Sequence, residues 1–132
     1  MSTFLNDLRL EEIGSGERSG TWGTATNTNL SIIAEAFSYG TETIGDANTT
    51  ITMADATSDE ARSLYLKITS SANLTTTRVI TLAPGTVSKV WIIENATSGS
   101  QVITIKQGSG ATVDIPNGSV KVIATDGGGT SG

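Results

Sequence analysis

The sequence predicts a mainly β fold: an antiparallel β-sandwich or open barrel of about seven short strands, with one amphipathic helix and an extended N-terminal leader. Three observations carry this. Leu, Ile and Val are spread through the middle of the chain while Thr, Ser and Gly fill the spaces between them, the usage of a turn-rich β protein. From Asn48 onward, apolar and polar residues alternate with period two in short runs broken by turn signals. One stretch alone, residues 25–39, repeats its apolar residues at helical spacing. At 132 residues the chain suffices for one core and is too short for two good ones.

Three regions follow: 1–24, a leader or docking arm; 25–125, the helix and sandwich; 126–132, a glycine-rich linker or tail. In the leader, Leu5, Leu8 and Ile13 fit a short helical turn, and "LRLEEI" equally fits an edge strand. Large apolar residues among many glycines suggest a segment that packs onto something else, a neighbouring subunit included. In "ATNTNLSIIAEAFSY" the residues Leu30, Ile33, Ala34 and Phe37 share one face, with Asn27 or Thr28 as N-cap and Gly40 as the stop. That face is expected to cover a sheet.

The expected strands are 49–54, 63–69, 78–83, 89–94, 101–106, 112–115 and 119–125. Their connections carry turn residues: Pro84-Gly85, Ser98-Gly99 and Asn117-Gly118, the last suited to a tight hairpin. A meander of antiparallel hairpins is the simplest assembly of these pieces. The echo between "ANTTIT" at Ala47 and "ANLTTT" at Ala72 is too short to define a repeat. The tail "DGGGTSG" has nothing apolar to bury, and as a linker it implies further chain beyond Gly132.

Composition removes several function classes. A net charge of −5 with Lys and Arg scattered singly offers no basic patch, so nucleic acid is not an expected partner. No apolar run approaches bilayer length, and the first residues lack the basic end and apolar centre of a secretory signal, so synthesis in a cytoplasm without membrane insertion is expected. With neither Cys nor His, disulfides, most transition-metal sites and the commonest general base are gone.

The stretch "GSGERSGTWGTATNTNL" raises a phosphate-loop reading, which fails. Gly14, Gly16, Gly20 and Gly23 do not give the Walker spacing, no Lys follows them and no strand leads in, although Arg18 stays available to an anion. Lys67, Lys89, Lys106 and Lys121 alternate with apolar residues and are expected to point into solvent from outer faces. Neither Glu11-Glu12 nor Asp59-Glu60 has the setting of a glycosidase pair, and "DATSDE" lacks the ligand pattern of a calcium loop. Trp91 reads as buried in a strand. No catalytic residue, cofactor or metal is expected.

The segments "LRLEEIGSGERSGTWGTATNTNL" (Leu8–Leu30), "DANTTITMADATSDEARSLYLKIT" (Asp46–Thr69), "WIIENATSG" (Trp91–Gly99) and "VDIPNG" (Val113–Gly118) resemble the N-terminal domain of tail-fibre and tail-associated structural proteins from tailed bacteriophages of the marine type. The resemblance implies a virion protein, a tail-fibre or tail-adaptor module that docks to the particle and assembles as a homotrimer for host adsorption. It implies partners among copies of itself and other tail or capsid proteins. Two alternatives stand beside it, a small capsid-decoration protein and a module binding a host-surface glycan. On this reading Leu8, Leu10, Ile13, Gly20, Trp22 and Gly23 form the docking device, with the glycines allowing turns and close approach and Trp22 as the anchor.

Overall fold

The computed structural model describes residues 3–4, 6–14, 16, 20–57 and 59–128. In chain order these form a helix α1 (Trp22–Glu35) and strands β1 (Tyr39–Ile44), β2 (Thr49–Thr52), β3 (Tyr65–Ser70), β4 (Arg78–Ala83), β5 (Ser88–Asn95), β6 (Ile103–Gln107), β7 (Thr112–Ile115) and β8 (Val120–Asp126). One turn of 3-10 helix, Glu60–Arg62, lies between β2 and β3. Two four-stranded sheets result, ordered β1-β3-β5-β8 and β2-β4-β6-β7. The fold is mainly β, two sheets and one helix without barrel closure, as the sequence predicts.

Strand direction is where it departs from a meander. β1, β3 and β5 pair in parallel, as do β2, β4 and β6, and antiparallel pairing is confined to β5 with β8 and β6 with β7. From β1 to β6 successive strands alternate between sheets, so each pass of the chain lays one strand on each and returns beside the previous pass. The result is a short two-sheet coil of three passes, closed by a fourth running the other way. Pro84-Gly85, Ser98-Gly99 and Asn117-Gly118 do turn the chain, but each turn carries it from one sheet to the other. The hairpin expected at Asn117-Gly118 is absent, and the one between adjacent strands is at β6–β7, where Gly110 N–H donates to Gln107 O. Gly99, at φ +103°, lies so close to the Leu74 backbone that an added Cβ would stand 2.6 Å from its nitrogen. Such a contact between stacked turns admits only glycine.

Inward positions supply an aliphatic core. Leu66, Ile68, Ile80, Ile93, Ile103 and Ile115 are fully buried, and Trp91 joins them with its indole N–H donating to Ala61 O at 2.8 Å. The coil is also knit along its turns. Buried Asn95 donates to the Gln101 and Ile115 carbonyls and accepts from the backbone and hydroxyl of Thr97. Asp46, between β1 and β2, accepts from Thr75 and Arg78 of the next pass, and these bonds hold its carboxyl below the usual range.

The helix differs from expectation in extent and in its buried side. It begins at Trp22, taking in residues assigned to the leader, because Gly20 (φ +82°) turns the chain so that Thr21 O accepts the first bond, from Ala25 N–H. It ends at Glu35, and Tyr39 opens β1, an eighth strand, since "YGTETI" pairs along β3. Ala25, Ile32 and Ala36 are buried, whereas Leu30 and Phe37, expected to cover a sheet, face outward.

Candidate assembly surface

The leader is built onto its own subunit. Thr3 and Glu12 form an antiparallel bridge, and Asn6 closes the loop between them by bonding both the N–H and the C=O of Leu10. Glu11 exchanges two hydrogen bonds with the Asn29 side chain on α1, Arg9 pairs with Asp55 at 2.7 Å, and Asp7 accepts from Ser88 N–H at the start of β5. At the centre stands Arg62, wholly buried, donating to the carbonyls of Leu8, Thr57 and Ala54 and pairing with Glu35 at 3.4 Å. One guanidinium thus joins the leader, α1 and the β2–β3 connection, a use of its planar fan of donors that lysine could not reproduce.

The residues expected to dock lie at different depths in this arrangement. Leu8 and Leu10 are half-buried against their own chain, and Ile13 is exposed. Gly20 makes the left-handed turn into the helix. Gly23 lies inside the first turn of α1 with ordinary helical backbone, so it is no turn glycine. Trp22 is 65% exposed. Arg18 and Leu5, and the tail from residue 129, lie outside the described residues.

What the structure brings together around Trp22 is a mostly apolar stripe. Thr26, Leu30 (59% exposed), Ile33 and Phe37 (76%) follow one another at spacings of four, three and four residues, and Trp22 stands four residues before Thr26. Thr26, also exposed, is the one polar member of the row. Alternation of three and four is the seam by which one helix packs on another. The stripe ends where β1 begins, and Tyr39, stacked on Tyr65 at 5.1 Å between ring centroids, continues it onto the outer face of the first sheet with Val122. From Trp22 to Tyr39 it exposes on the order of 600 Å² of apolar side chain, at the upper end for the largest patch on a typical monomer. The helical period shows in the sequence. Which part of the apolar arc faces outward does not, because the side turned toward the subunit combines Ala25 and Ala36 with Asn29 and Ile32.

Three other places among the described residues bear on chemistry. Glu42, Asp59 and Glu60 bring carboxylate oxygens within 4.8 Å of one another, an all-oxygen set of the kind hard cations take. Burial, then the charges of Asp59 and Glu60, raise the Glu42 carboxyl above its ordinary range. Asp59 also caps the 3-10 turn by accepting from Ala61 N–H. A groove of about 220 Å³ runs over Asn48, Thr50, Val79, Thr81 and Lys106 on the second sheet, below the ~300 Å³ at which small-molecule sites begin. Lys89 departs from the expected outer position: it points inward, 4.7 Å from the Trp91 ring centroid, and burial with the nearby Arg62 charge lowers it to about 8.

No helix among the described residues is long and apolar enough to cross a membrane. Comparison with protein-family models, with curated proteins and with solved structures finds no match to this chain.

Proposed function

We propose that this chain is a virion structural module of the tail-fibre or tail-adaptor type, which assembles with copies of itself through the outer stripe of α1. The observation that carries the reading is that stripe: Leu30, Ile33, Phe37 and Trp22 in helix-packing register, turned away from the subunit's own core. Three copies with their α1 seams around a common axis would bury it, in keeping with the trimer implied by the sequence resemblance. The role of Trp22 as anchor is kept. The leader's is revised, since its polar contacts hold it to its own subunit and so fix α1 in place rather than reaching to a neighbour.

A carbohydrate-binding use of Trp22 is weaker on this geometry, because along α1 the stripe beside it offers one hydroxyl, that of Thr26, among aliphatic and phenyl side chains, and the next, on Tyr39, lies beyond the helix. Copy number and position of the chain in purified particles test the role. A few copies, located at the tail, are the expected result. Hundreds of copies spread over the capsid would replace it with a decoration role, and absence from particles would overturn both.

A further inference from the structure

Both ends of the coil are open sheet edges, and they complement one another. Tyr65 N–H donates to Ser38 O and Ser71 N–H to Ile44 O, so the even-numbered residues of β1 bond to β3, and the backbone groups of Tyr39, Thr41 and Thr43 point away from the sheet. On β2, Met53 N–H donates to Ala83 O, which leaves Thr50 and Thr52 pointing out. At the other end Asn95 N–H donates to Ser119 O, so the odd-numbered residues of β8 face β5, and Val120, Val122 and Ala124 are the outward ones. Among the described residues none of these outward backbone groups has a hydrogen-bond partner, and unpaired edges of this kind are templates for another strand.

We infer that copies of this chain stack head to tail, the β1/β2 edge of one adding to the β8/β7 edge of the next. This inference concerns the ends of the coil and does not depend on the α1 stripe. The cross-strand rows fix the register. Tyr39, Tyr65, Ile92 and Val122 lie in one outward row, and Gly40, Leu66, Ile93 and Lys121 in the inward row beside it. Continuing both rows into a second copy pairs its Tyr39 with Val122, an aromatic on a β-branched residue, and sets its Gly40 opposite Lys121, whose side chain has to pass outside the Ser63 hydroxyl and the Glu60 carbonyl that already fill the space beside Gly40. Direction agrees as well: β8 runs opposite to β5, and β5 parallel to β1 through β3, so the new pairing is antiparallel on both sheets.

Charge selects this arrangement over its rival. Glu42, two residues from Gly40 and also inward, brings Asp59 and Glu60 with it. Head to tail, these carboxylates sit diagonal to Lys121 of the next copy, which is exposed and bonds only the Asp114 carbonyl in its own subunit among the described residues. Edge-to-edge pairing of two β1 strands would instead bring two such acidic sets together. Inward charges on edge strands ordinarily discourage pairing; here the two edges carry opposite signs, so they discourage like pairing and admit unlike. Four strands per sheet at roughly 4.8 Å give an axial repeat of about 19 Å per copy.

The test uses the full chain carrying Trp22→Ser and Phe37→Ser, so that association through α1 is removed, with sedimentation velocity over a concentration series and electron microscopy of the concentrated sample. Linear species with a repeat of about 19 Å are expected. Lys121→Glu should weaken their formation by about tenfold or more, and the pair Glu42→Lys with Lys121→Glu should restore it. Circular dichroism confirms that each variant is folded. A folded chain that stays monomeric at every concentration, or end-to-end species indifferent to Lys121→Glu, overturns the inference, whatever the α1 stripe does.

Discussion

Arg62 Nε donates to the Leu8 carbonyl at 2.9 Å across 54 positions of sequence, and this bond holds the leader to the coil. The same side chain, itself fully buried, satisfies the Thr57 and Ala54 carbonyls. Arg62→Ala leaves those part-buried acceptors without their donor and empties a buried side-chain site, and should cost roughly 3 kcal/mol. Urea unfolding measures it. Limited proteolysis should show cleavage within about the first 20 residues well before the coil opens, and a leader as protected as in the wild type would contradict this account of its attachment.

Asn95 is the second polar group on which the coil depends, because both its amide hydrogens and its oxygen are used. Asn95→Leu fills similar volume but strands two carbonyls and the Thr97 donors. A loss of about 2–4 kcal/mol is expected. Asn95→Asp should be destabilising too, since an ionised carboxylate cannot donate to either carbonyl.

Glu42 gives a prediction with a definite pH sign. Its folded carboxyl is raised, so the charged form is disfavoured by folding: the penalty is present above the folded value and disappears as pH falls toward the ordinary carboxylate range. Glu42→Gln should therefore melt higher than the wild type at about pH 7, with the gap closing as pH falls through that window. A constant gap across it would point to a packing effect instead.

Lys89 works in the opposite sense. The folded value of about 8 lies below the ordinary 10.5, so charge on Lys89 opposes folding below pH 8, and this cost is relieved as pH rises from about 8 to 10.5. Lys89→Met should raise the melting temperature at about pH 7 and lose that advantage by about pH 10. The stacking of the ammonium on Trp91 partly offsets burial, so a variant less stable at both pH values would show that stacking outweighs it.

The strands were legible because period-two alternation in segments such as "LYLKIT" is a direct image of a half-buried strand. Their direction was not. A turn of Pro-Gly or Asn-Gly reverses the chain equally well between hairpin partners and between opposed sheets, so local residues cannot distinguish a meander from a coil. The one hint was the echo of Ala47-Asn48 in Ala72-Asn73, which stand 25 residues apart. That is close to the 26 from Tyr39 to its neighbour Tyr65, and both pairs lie in equivalent turns of successive passes. Tyr39–Ile44 was missed because helical spacing ran up to Tyr39, and the parallel partner that makes it a strand is remote in sequence. The exposure of Trp22, 65%, was not legible, because the sequence leaves open which side of the helix faces the core. The inward side of α1 is chosen by Arg62 and the Glu11–Asn29 pair.

The stripe itself predicts that changing it leaves the fold intact. Trp22→Ser with Phe37→Ser removes exposed apolar surface, so the chemical stability of the subunit should change by less than about 0.5 kcal/mol. A larger loss would mean that both side chains belong to the subunit's own packing.

The most direct measurement is the molar mass of the full chain by light scattering during size-exclusion chromatography, for the wild type and for this double variant, at matched concentration. At concentrations too dilute for end-to-end association, a wild-type mass of several chains is expected, three on the proposed arrangement, with a fall to a single chain in the variant and an unchanged far-ultraviolet spectrum. A wild type that elutes as a monomer at all concentrations, or a variant that keeps the full assembled mass, would contradict it.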